Sequence, residues 1–129
     1  MKLAIVGVTG MVGREILAVL AERNFPISEL IPVASKKSCG KTISYLGKTH
    51  TIISLDDLLA KEVDLALFSA GSEISKIWAP KLATKGCKVI DNSSFWRINP
   101  FFNRNYWRIF KFFNYGEFQT TNLYHRSKN

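Results

Sequence analysis

The sequence has few of the residues on which several classes of fold and site depend. Among 129 residues there are two cysteines and two histidines, and Cys39 and Cys87 form no CxxC pair. This excludes a disulfide scaffold, predicts no metal site, and favours a reduced, cytoplasmic protein. No apolar run approaches the ~20 residues that cross a bilayer. The apolar start at residues 3–6 is too short for an export signal, so we expect neither a membrane segment nor secretion.

Acidic residues are also scarce, most of all towards the end of the chain. Lys and Arg number 18 against 10 Asp and Glu, which gives a net charge of +8. Half of this charge comes from residues 98–129, which also hold ten aromatic residues against six in residues 1–97. Composition therefore divides the chain near Arg97. We expect one domain over residues 1–97, long enough to bury a core, and an irregular tail over residues 98–129.

Short apolar runs alternate with helical patterns in the first part of the chain. The runs typical of buried parallel strands are residues 3–6, 30–34, 64–68 and 88–91. Helices are predicted after the first run, with Val12, Ile16, Val19 and Leu20 on the buried stripe, and from about residues 73 to 85. A small hairpin around Gly47 and a short helix after Ser54 fill the middle. This alternation predicts an α/β fold, a Rossmann-type doubly wound parallel sheet.

Three glycines separate the first strand from the first helix. Gly7, Gly10 and Gly13 form a GxxGxxG turn, called here the glycine turn (residues 7–13). Gly7 permits a tight exit from the strand, Gly10 lets the backbone approach a pyrophosphate, and Gly13 lets the helix pack closely. The helix amides and dipole then face the anion. In its strand–turn–helix context the turn predicts nucleotide binding rather than a plain structural turn.

The end of the second strand indicates which dinucleotide is bound. NAD-binding folds usually place an acidic residue ~20 positions past the turn, to bind the ribose 2′-hydroxyl. Here that place holds Ser35, Lys36, Lys37 and Ser38, called the basic loop (residues 35–38). Two cations and two hydroxyls suit a 2′-phosphate. NADP is therefore the predicted cofactor, and a solvated basic loop is the alternative.

Four segments together resemble the N-terminal NAD(P)-binding domain of aspartate-semialdehyde dehydrogenase. They are residues 6–13, 34–41, 68–71 and 89–97. The cofactor contacts that the resemblance implies are Gly7, Thr9, Gly10, Met11, Val12 and Gly13 at the phosphates, Ser35, Lys37 and Ser38 at the adenosine side, Ser69, Ala70 and Gly71 near the nicotinamide, and Asn92. Two positions depart from the family pattern: Lys37 replaces an arginine, which loses the bidentate fork, and Phe95 replaces a small residue.

The resemblance also implies a reaction and a biosynthetic role. The family reduces aspartyl β-phosphate to aspartate β-semialdehyde with NADPH, through a thioacyl intermediate on a cysteine, in the biosynthesis of lysine, threonine and methionine. Arg97 would bind the phosphate of the acyl-phosphate substrate. Members are typically homo-oligomers, and the resemblance leaves the state of this chain open.

The resemblance ends near residue 100, before the family's nucleophilic cysteine and base histidine. Cys39 and Cys87 do not stand in the nucleophile's context and are interpreted as structural. His50 and His125 match no catalytic position. We therefore expect the chain to be inactive alone, as the product of a truncated or frame-shifted gene. A divergent extension is the alternative origin of the tail.

Three other interpretations remain open. Tyr124 and Lys128 have the spacing of the short-chain dehydrogenase pair, but they lie in a stretch without helical period, which favours coincidence. Aromatic and basic residues interleave in the tail, as in nucleic-acid-binding segments, although out-of-frame or unstructured sequence is favoured. The chain could also be a non-catalytic NADP-binding module.

Overall fold

A computed structural model describes residues 1–93, and Arg97, Phe95 and the tail lie outside them. The strands of this part are β1 (Lys2–Val6), β2 (Glu29–Val33), β3 (Thr42–Tyr45), β4 (Lys48–Thr51), β5 (Leu65–Phe68) and β6 (Lys88–Asp91). The helices are α1 (Met11–Glu22), α2 (Leu55–Leu59) and α3 (Ser72–Thr84), with a 3-10 turn at Lys36–Ser38. The predicted elements are confirmed, with most ends shifted by about one residue.

The main sheet has the strand order β2-β1-β5-β6, and every pairing in it is parallel. The chain leaves β1 for β2 on one side and later returns to β5 on the other. The order therefore reverses between β1 and β5, which is where ligands of such sheets bind, beyond the carboxyl ends of the strands. Pro32 lies in β2, an edge strand, where a missing N–H is tolerated.

Apolar side chains cover both faces of the sheet, as a doubly wound fold requires. On one face α1 packs through Ile16 and Leu20 against the strands. On the other face α2 and α3 pack through Leu58 and Leu82. Each such fully buried side chain contributes about 1.5–3 kcal/mol relative to leaving it in water. The Rossmann-type prediction is confirmed, including the helices on opposite faces.

Two residues of the predicted buried stripe are not in the core: Val19 is only half-buried, and Leu17 packs against the core instead, while Val12 lies in the first turn of α1 and is exposed. Val12 is 43% exposed, whereas Ile16 and Leu20 are buried. Val12 belongs to the first turn of α1, which begins at Met11, beyond the carboxyl end of β1 at Val6. The prediction that Val12 and Val19 are in the core was wrong.

A hairpin and a short helix connect β2 to β5. Strands β3 and β4 pair antiparallel around Leu46 (φ 49°) and Gly47 (φ 76°), the positive pair of angles typical of a tight hairpin turn. Ser54 caps α2 by accepting the Asp57 amide hydrogen at 3.1 Å. Ile53 bridges to Val33 at the end of β2, so the connection returns to the edge of the main sheet. None of the helices in residues 1–93 has the length and apolar character needed to cross a membrane.

Candidate functional site

The glycine turn leaves β1 at the point where the strand order reverses. Gly7 has φ 90°, and its amide donates to the Val33 carbonyl at 2.9 Å. A Cβ at Gly7 would lie 2.7 Å from the carbonyl oxygen of Ser69. Glycine is therefore required here for two reasons: the backbone angle, and the close approach of the loop that follows β5. Sequence reasoning found the first reason and missed the second.

Gly13 and Gly10 have different surroundings within the same turn. A Cβ at Gly13 would lie 2.3 Å from the Gly7 carbonyl oxygen and 2.8 Å from the Cα of Val8. Gly13 thus lets α1 pack directly against the turn. A Cβ at Gly10 would meet only the Gly7 carbonyl oxygen, at 3.4 Å, so the other side of Gly10 is open. A backbone surface that lacks a Cβ and is open on one side can accept a bulky anion.

The first turn of α1 presents unpaired amides at this open surface. The first bond of the helix runs from the Arg14 amide to the Gly10 carbonyl at 3.1 Å. Within the described residues, the amides of Met11, Val12 and Gly13 have no backbone acceptor, and no acidic side chain lies in this turn. Met11 is 84% exposed. Unpaired N–H groups and the positive end of a 12-residue helix therefore face solvent together, as an anion site requires.

The basic loop follows β2 and forms one 3-10 turn, closed by the Ser38 amide on the Ser35 carbonyl at 2.9 Å. Ser35, Lys36 and Lys37 are exposed. Lys36 Nζ lies 3.8 Å from the Oδ2 of Asp56, whereas Lys37 has no ion pair within residues 1–93. The sequence alone gives no reason to distinguish the two lysines as ligands of a phosphate. Of these two lysines, Lys37 is the one without an acidic partner among residues 1–93.

The loop after β5 is fastened to the end of β1. The Ser69 amide and hydroxyl both donate to the Val6 carbonyl, at 2.8 and 3.2 Å. Ser69 therefore holds two strand ends together through both of its donors. Gly71, with φ 89°, then turns the chain into α3. Ser69, Ala70 and Gly71 lie at the same edge of the sheet as the glycine turn, and their predicted contact with the nicotinamide stays a prediction.

Strand β6 brings a further polar group to this edge. The Asn92 amide donates to the Phe68 carbonyl at 2.9 Å, which places Asn92 beside the loop after β5. The buried carboxylate of Asp91 accepts the Ser93 amide and hydroxyl, at 2.8 and 2.6 Å. This bond pair fixes the chain direction after β6, a role that sequence reasoning did not assign to Asp91. Arg97, the predicted ligand of the substrate phosphate, lies outside the described residues.

Neither cysteine offers an available thiol at this edge of the sheet: Cys87 lies away from it, and the thiol of Cys39 donates a hydrogen bond. Cys87 is buried immediately before β6, at the amino end of the strands. Burial, together with the negative charge of Asp64, raises the pKa of its thiol to about 11. Such a thiol stays protonated at neutral pH and is a poor nucleophile. The Sγ of Cys39 donates to the Ser35 carbonyl at 3.5 Å. Within residues 1–93 no cluster of His, Cys, Asp and Glu could hold a metal ion.

Comparison with known proteins points to one family. The family model described as the semialdehyde dehydrogenase NAD binding domain matches residues 2–121. Aspartate-semialdehyde dehydrogenase of Aquifex aeolicus (strain VF5) is 53% identical over 100 residues, which are 77% of this chain and 29% of that protein. The enzyme of Rickettsia bellii (strain RML369-C) is 53% identical over 98 residues, with 76% and 29% covered.

Solved structures give the same relationship. The crystal structure of aspartate semialdehyde dehydrogenase II from Vibrio cholerae, complexed with ASA, superposes with a TM-score of 0.73 and 45% identity. The match covers 77% of this chain and 32% of that one. The chain thus spans about 29% of the length of the curated relatives it matches. The family model extends past Arg97, and the domain boundary at residue 97 stays a prediction.

Proposed function

The chain belongs to the semialdehyde dehydrogenase family, through its NAD binding domain, and we propose that residues 1–93 bind NADP in preference to NAD for aspartate-semialdehyde dehydrogenase chemistry. The observation that carries this proposal is the open first turn of α1 above Gly10, beside a basic loop with one unpaired lysine. When bound, the cofactor's nicotinamide supplies or accepts the hydride. The residues of this chain bind and orient it.

The glycine turn is the proposed pyrophosphate site. The amides of Met11, Val12 and Gly13 are unpaired within the described residues and point out of the amino end of α1. Gly10 leaves its outer side open, because a Cβ there would meet only the Gly7 carbonyl oxygen. Thr9, exposed between the glycines, adds a hydroxyl. Backbone donors that are already fixed by the fold bind a diphosphate at little cost in conformational entropy.

The basic loop is the proposed site of the 2′-phosphate. Lys37 is exposed and makes no ion pair within residues 1–93, so its charge is available to an added dianion. The hydroxyls of Ser35 and Ser38 lie on either side of it in one turn and can donate to the same group. Ser35, the N-cap of this turn, makes no side-chain capping bond. This is the chemistry that distinguishes a 2′-phosphate from a 2′-hydroxyl.

The nicotinamide end is assigned to the loops after β5 and β6. Ser69 and Ala70 lie next to Gly7, Gly71 follows them at the start of α3, and the Asn92 amide donates to the Phe68 carbonyl. These residues would orient the nicotinamide ring where the strand order reverses between β1 and β5. Arg97 would bind the phosphate of an acyl-phosphate substrate. Neither Cys39 nor Cys87 is assigned as nucleophile, so we propose that the chain has no dehydrogenase activity alone. Two unpaired thiols also fit a cytoplasmic protein.

Dinucleotide titration tests the proposal directly. The 129-residue chain is titrated with NADPH and with NADH, and the fluorescence of the reduced nicotinamide reports binding. We expect NADPH to bind at least about tenfold more tightly, which is the worth of one charge-assisted contact of about 1.4 kcal/mol. Equal affinities would contradict the assignment of the 2′-phosphate, and no binding of either dinucleotide would contradict the function itself.

A further inference from the structure

An acidic residue, Asp56, lies beside the basic loop. Nothing in the sequence indicates that the two are close in space. The carboxylate of Asp56, in the first turn of α2, lies 3.8 Å from the Nζ of Lys36. The side chains are 63% and 86% exposed, so both groups are open to a ligand arriving from solvent. The other carboxylate of that turn, Asp57, is engaged by the Ser54 hydroxyl at 2.9 Å. Asp56 is therefore the acid available to Lys36.

The segment before α2 is fastened to the basic loop by backbone hydrogen bonds, which fixes where Asp56 lies. Ile53 donates to the Pro32 carbonyl at 3.0 Å and accepts from the Ala34 amide at 3.2 Å, just before the loop. Ile52 accepts from Gly40 at 3.0 Å and donates to Lys41 at 2.8 Å, just after it. The Ser54 cap then continues this segment into α2. Asp56 thus stands on a rigid support, whereas the long Lys36 side chain is free to move.

We propose that Asp56 is a specificity-determining residue that competes with the 2′-phosphate of the cofactor for Lys36. This inference rests on the proposed function and deepens it. With NAD bound, Lys36 keeps its pair with Asp56. With NADP bound, Lys36 must leave Asp56 to reach the phosphate, and the carboxylate also repels the added dianion. Asp56 therefore narrows the preference for NADP over NAD that Lys37, Ser35 and Ser38 establish.

The size of the effect follows from the exposure of the pair. Exposed ion pairs contribute about 0.2–1 kcal/mol, which corresponds to roughly a 1.4- to fivefold change in an equilibrium constant. Removing the charge of Asp56 should strengthen NADPH binding about two- to fivefold, because it releases Lys36 and removes a repulsion together. NADH has an uncharged 2′-hydroxyl, so its affinity should not change.

The test compares three variants of the full 129-residue chain with the wild type, using NADPH and NADH titrations. Asp56→Asn removes the charge, and Asp56→Glu keeps it. Glu62→Gln is the matched control, because Glu62 forms an exposed pair of similar length with Lys2 (3.6 Å) at the opposite end of the sheet. Circular dichroism and melting temperature confirm that each variant folds. The titrations are run at low and at high salt.

We expect Asp56→Asn to raise the ratio of NADPH to NADH affinity about two- to fivefold at low salt, with a smaller gain at high salt. Asp56→Glu and Glu62→Gln should leave the ratio at the wild-type value. A ratio in Asp56→Asn equal to that of Glu62→Gln, or a gain shared equally by both dinucleotides, would overturn the role of Asp56. The wild-type titration by itself decides the proposed function, so the two failures are distinguishable.

Discussion

The glycine turn and the basic loop lie at the same edge of the sheet but are built on different principles. In the glycine turn the backbone would provide the proposed cofactor contacts: Gly7 and Gly13 have no room for a Cβ, and the α1 amides are held in place by the fold. In the basic loop side chains on a single 3-10 turn would provide the proposed contacts. Gly7 and Gly13 of the glycine turn cannot be altered without disturbing the folded core. The basic loop can change its charge while the fold stays intact.

Because of this difference, we expect the glycine turn to set the affinity for either dinucleotide and the basic loop to set the selectivity between them. NAD and NADP share the pyrophosphate, so a site made of backbone groups would serve both cofactors. Because the fold holds these backbone groups in place, a change at Gly7 or Gly13 also changes the stability of the domain. The 2′-phosphate belongs to NADP alone, so the residues that recognise it can vary without unfolding the chain. Substitutions in the glycine turn should therefore damage folding or all dinucleotide binding. Substitutions in the basic loop should change only the choice between dinucleotides.

The largest loss of stability is expected from Gly13→Ala. Its Cβ would lie 2.3 Å from the Gly7 carbonyl oxygen, which is backbone and has little room to move. Overpacking of this kind costs up to about 3 kcal/mol, offset by about 1 kcal/mol of helix propensity. A net loss of about 2 kcal/mol corresponds to a fall in melting temperature of about 8–16 °C for a domain of this size. Thermal unfolding followed by circular dichroism measures it.

Gly10→Ala is the matched control in the same turn. Its φ of −76° suits alanine, and its Cβ would meet one atom at 3.4 Å. We expect a stability within about 1 kcal/mol of the wild type but at least tenfold weaker binding of both NADPH and NADH. If Gly10→Ala bound both dinucleotides normally, the open side of Gly10 would not be the pyrophosphate site.

Lys37→Glu should affect selectivity alone. It replaces the unpaired cation of the basic loop with an anion, so NADPH should bind about 10- to 100-fold more weakly, the worth of a lost charge-assisted bond of about 1.5–3 kcal/mol. NADH binding and the melting temperature should stay close to wild type. Lys61→Glu, an exposed charge reversal just beyond α2, controls for net charge. Equal losses for both dinucleotides would place Lys37 outside the 2′-phosphate site.

Ser54→Ala should destabilise the start of α2, next to the segment that is hydrogen-bonded to the basic loop, and should leave the glycine turn unchanged. The Ser54 oxygen accepts the Asp57 amide hydrogen at the start of α2. Loss of such a cap costs about 1 kcal/mol of stability. Chemical denaturation measures the loss, and Ser44→Ala, at an exposed position on β3, is the control. If both variants had the same denaturation midpoint, the cap would contribute nothing to the fold.

The effect that is smallest at neutral pH is a pH dependence of stability that Cys87 introduces far from both regions. Burial and Asp64 raise the pKa of its thiol from 9.0 to about 11 in the folded chain. The unfolded chain therefore loses this proton first, and the stability of the wild type should fall as the pH rises from about 9 to about 11. Cys87→Ala should flatten that fall, measured as denaturation midpoints across the range. An identical slope in Cys87→Ala and Cys39→Ala would contradict the buried thiol.

The backbone features of the site could be predicted from the sequence, because glycine spacing and apolar alternation report local geometry directly. The three glycines, the four parallel strands, the hairpin at Gly47 and the capped helix after Ser54 are confirmed. The predicted interior position of Val12 was wrong because periodicity does not show where a helix passes the end of a sheet. The ligand contacts of both regions and the boundary at residue 97 stay predictions.

Contacts between distant segments could not be predicted. Asp56 and Lys36 are brought together only because residues 52–53 are fastened to both ends of the basic loop. Gly7 has no room for a side chain because the Ser69 carbonyl lies against it, and Ser69 belongs to the loop after β5, 62 residues later in the sequence. Neither relation leaves a local pattern. The charge balance of the basic loop is therefore a property of tertiary packing, although its lysines are visible in the sequence.

An amide NMR titration of the ¹⁵N-labelled 129-residue chain tests the division of labour between the two regions most directly. With NADH we expect the amide signals of Met11, Val12 and Gly13 to shift, and those of Lys37 and Ser38 to move little. With NADPH we expect the same shifts at the start of α1, joined by large shifts at Lys37 and Ser38. Identical shift patterns for both dinucleotides, or shifts confined to the opposite edge of the sheet around Glu62 and Asp64, would contradict it.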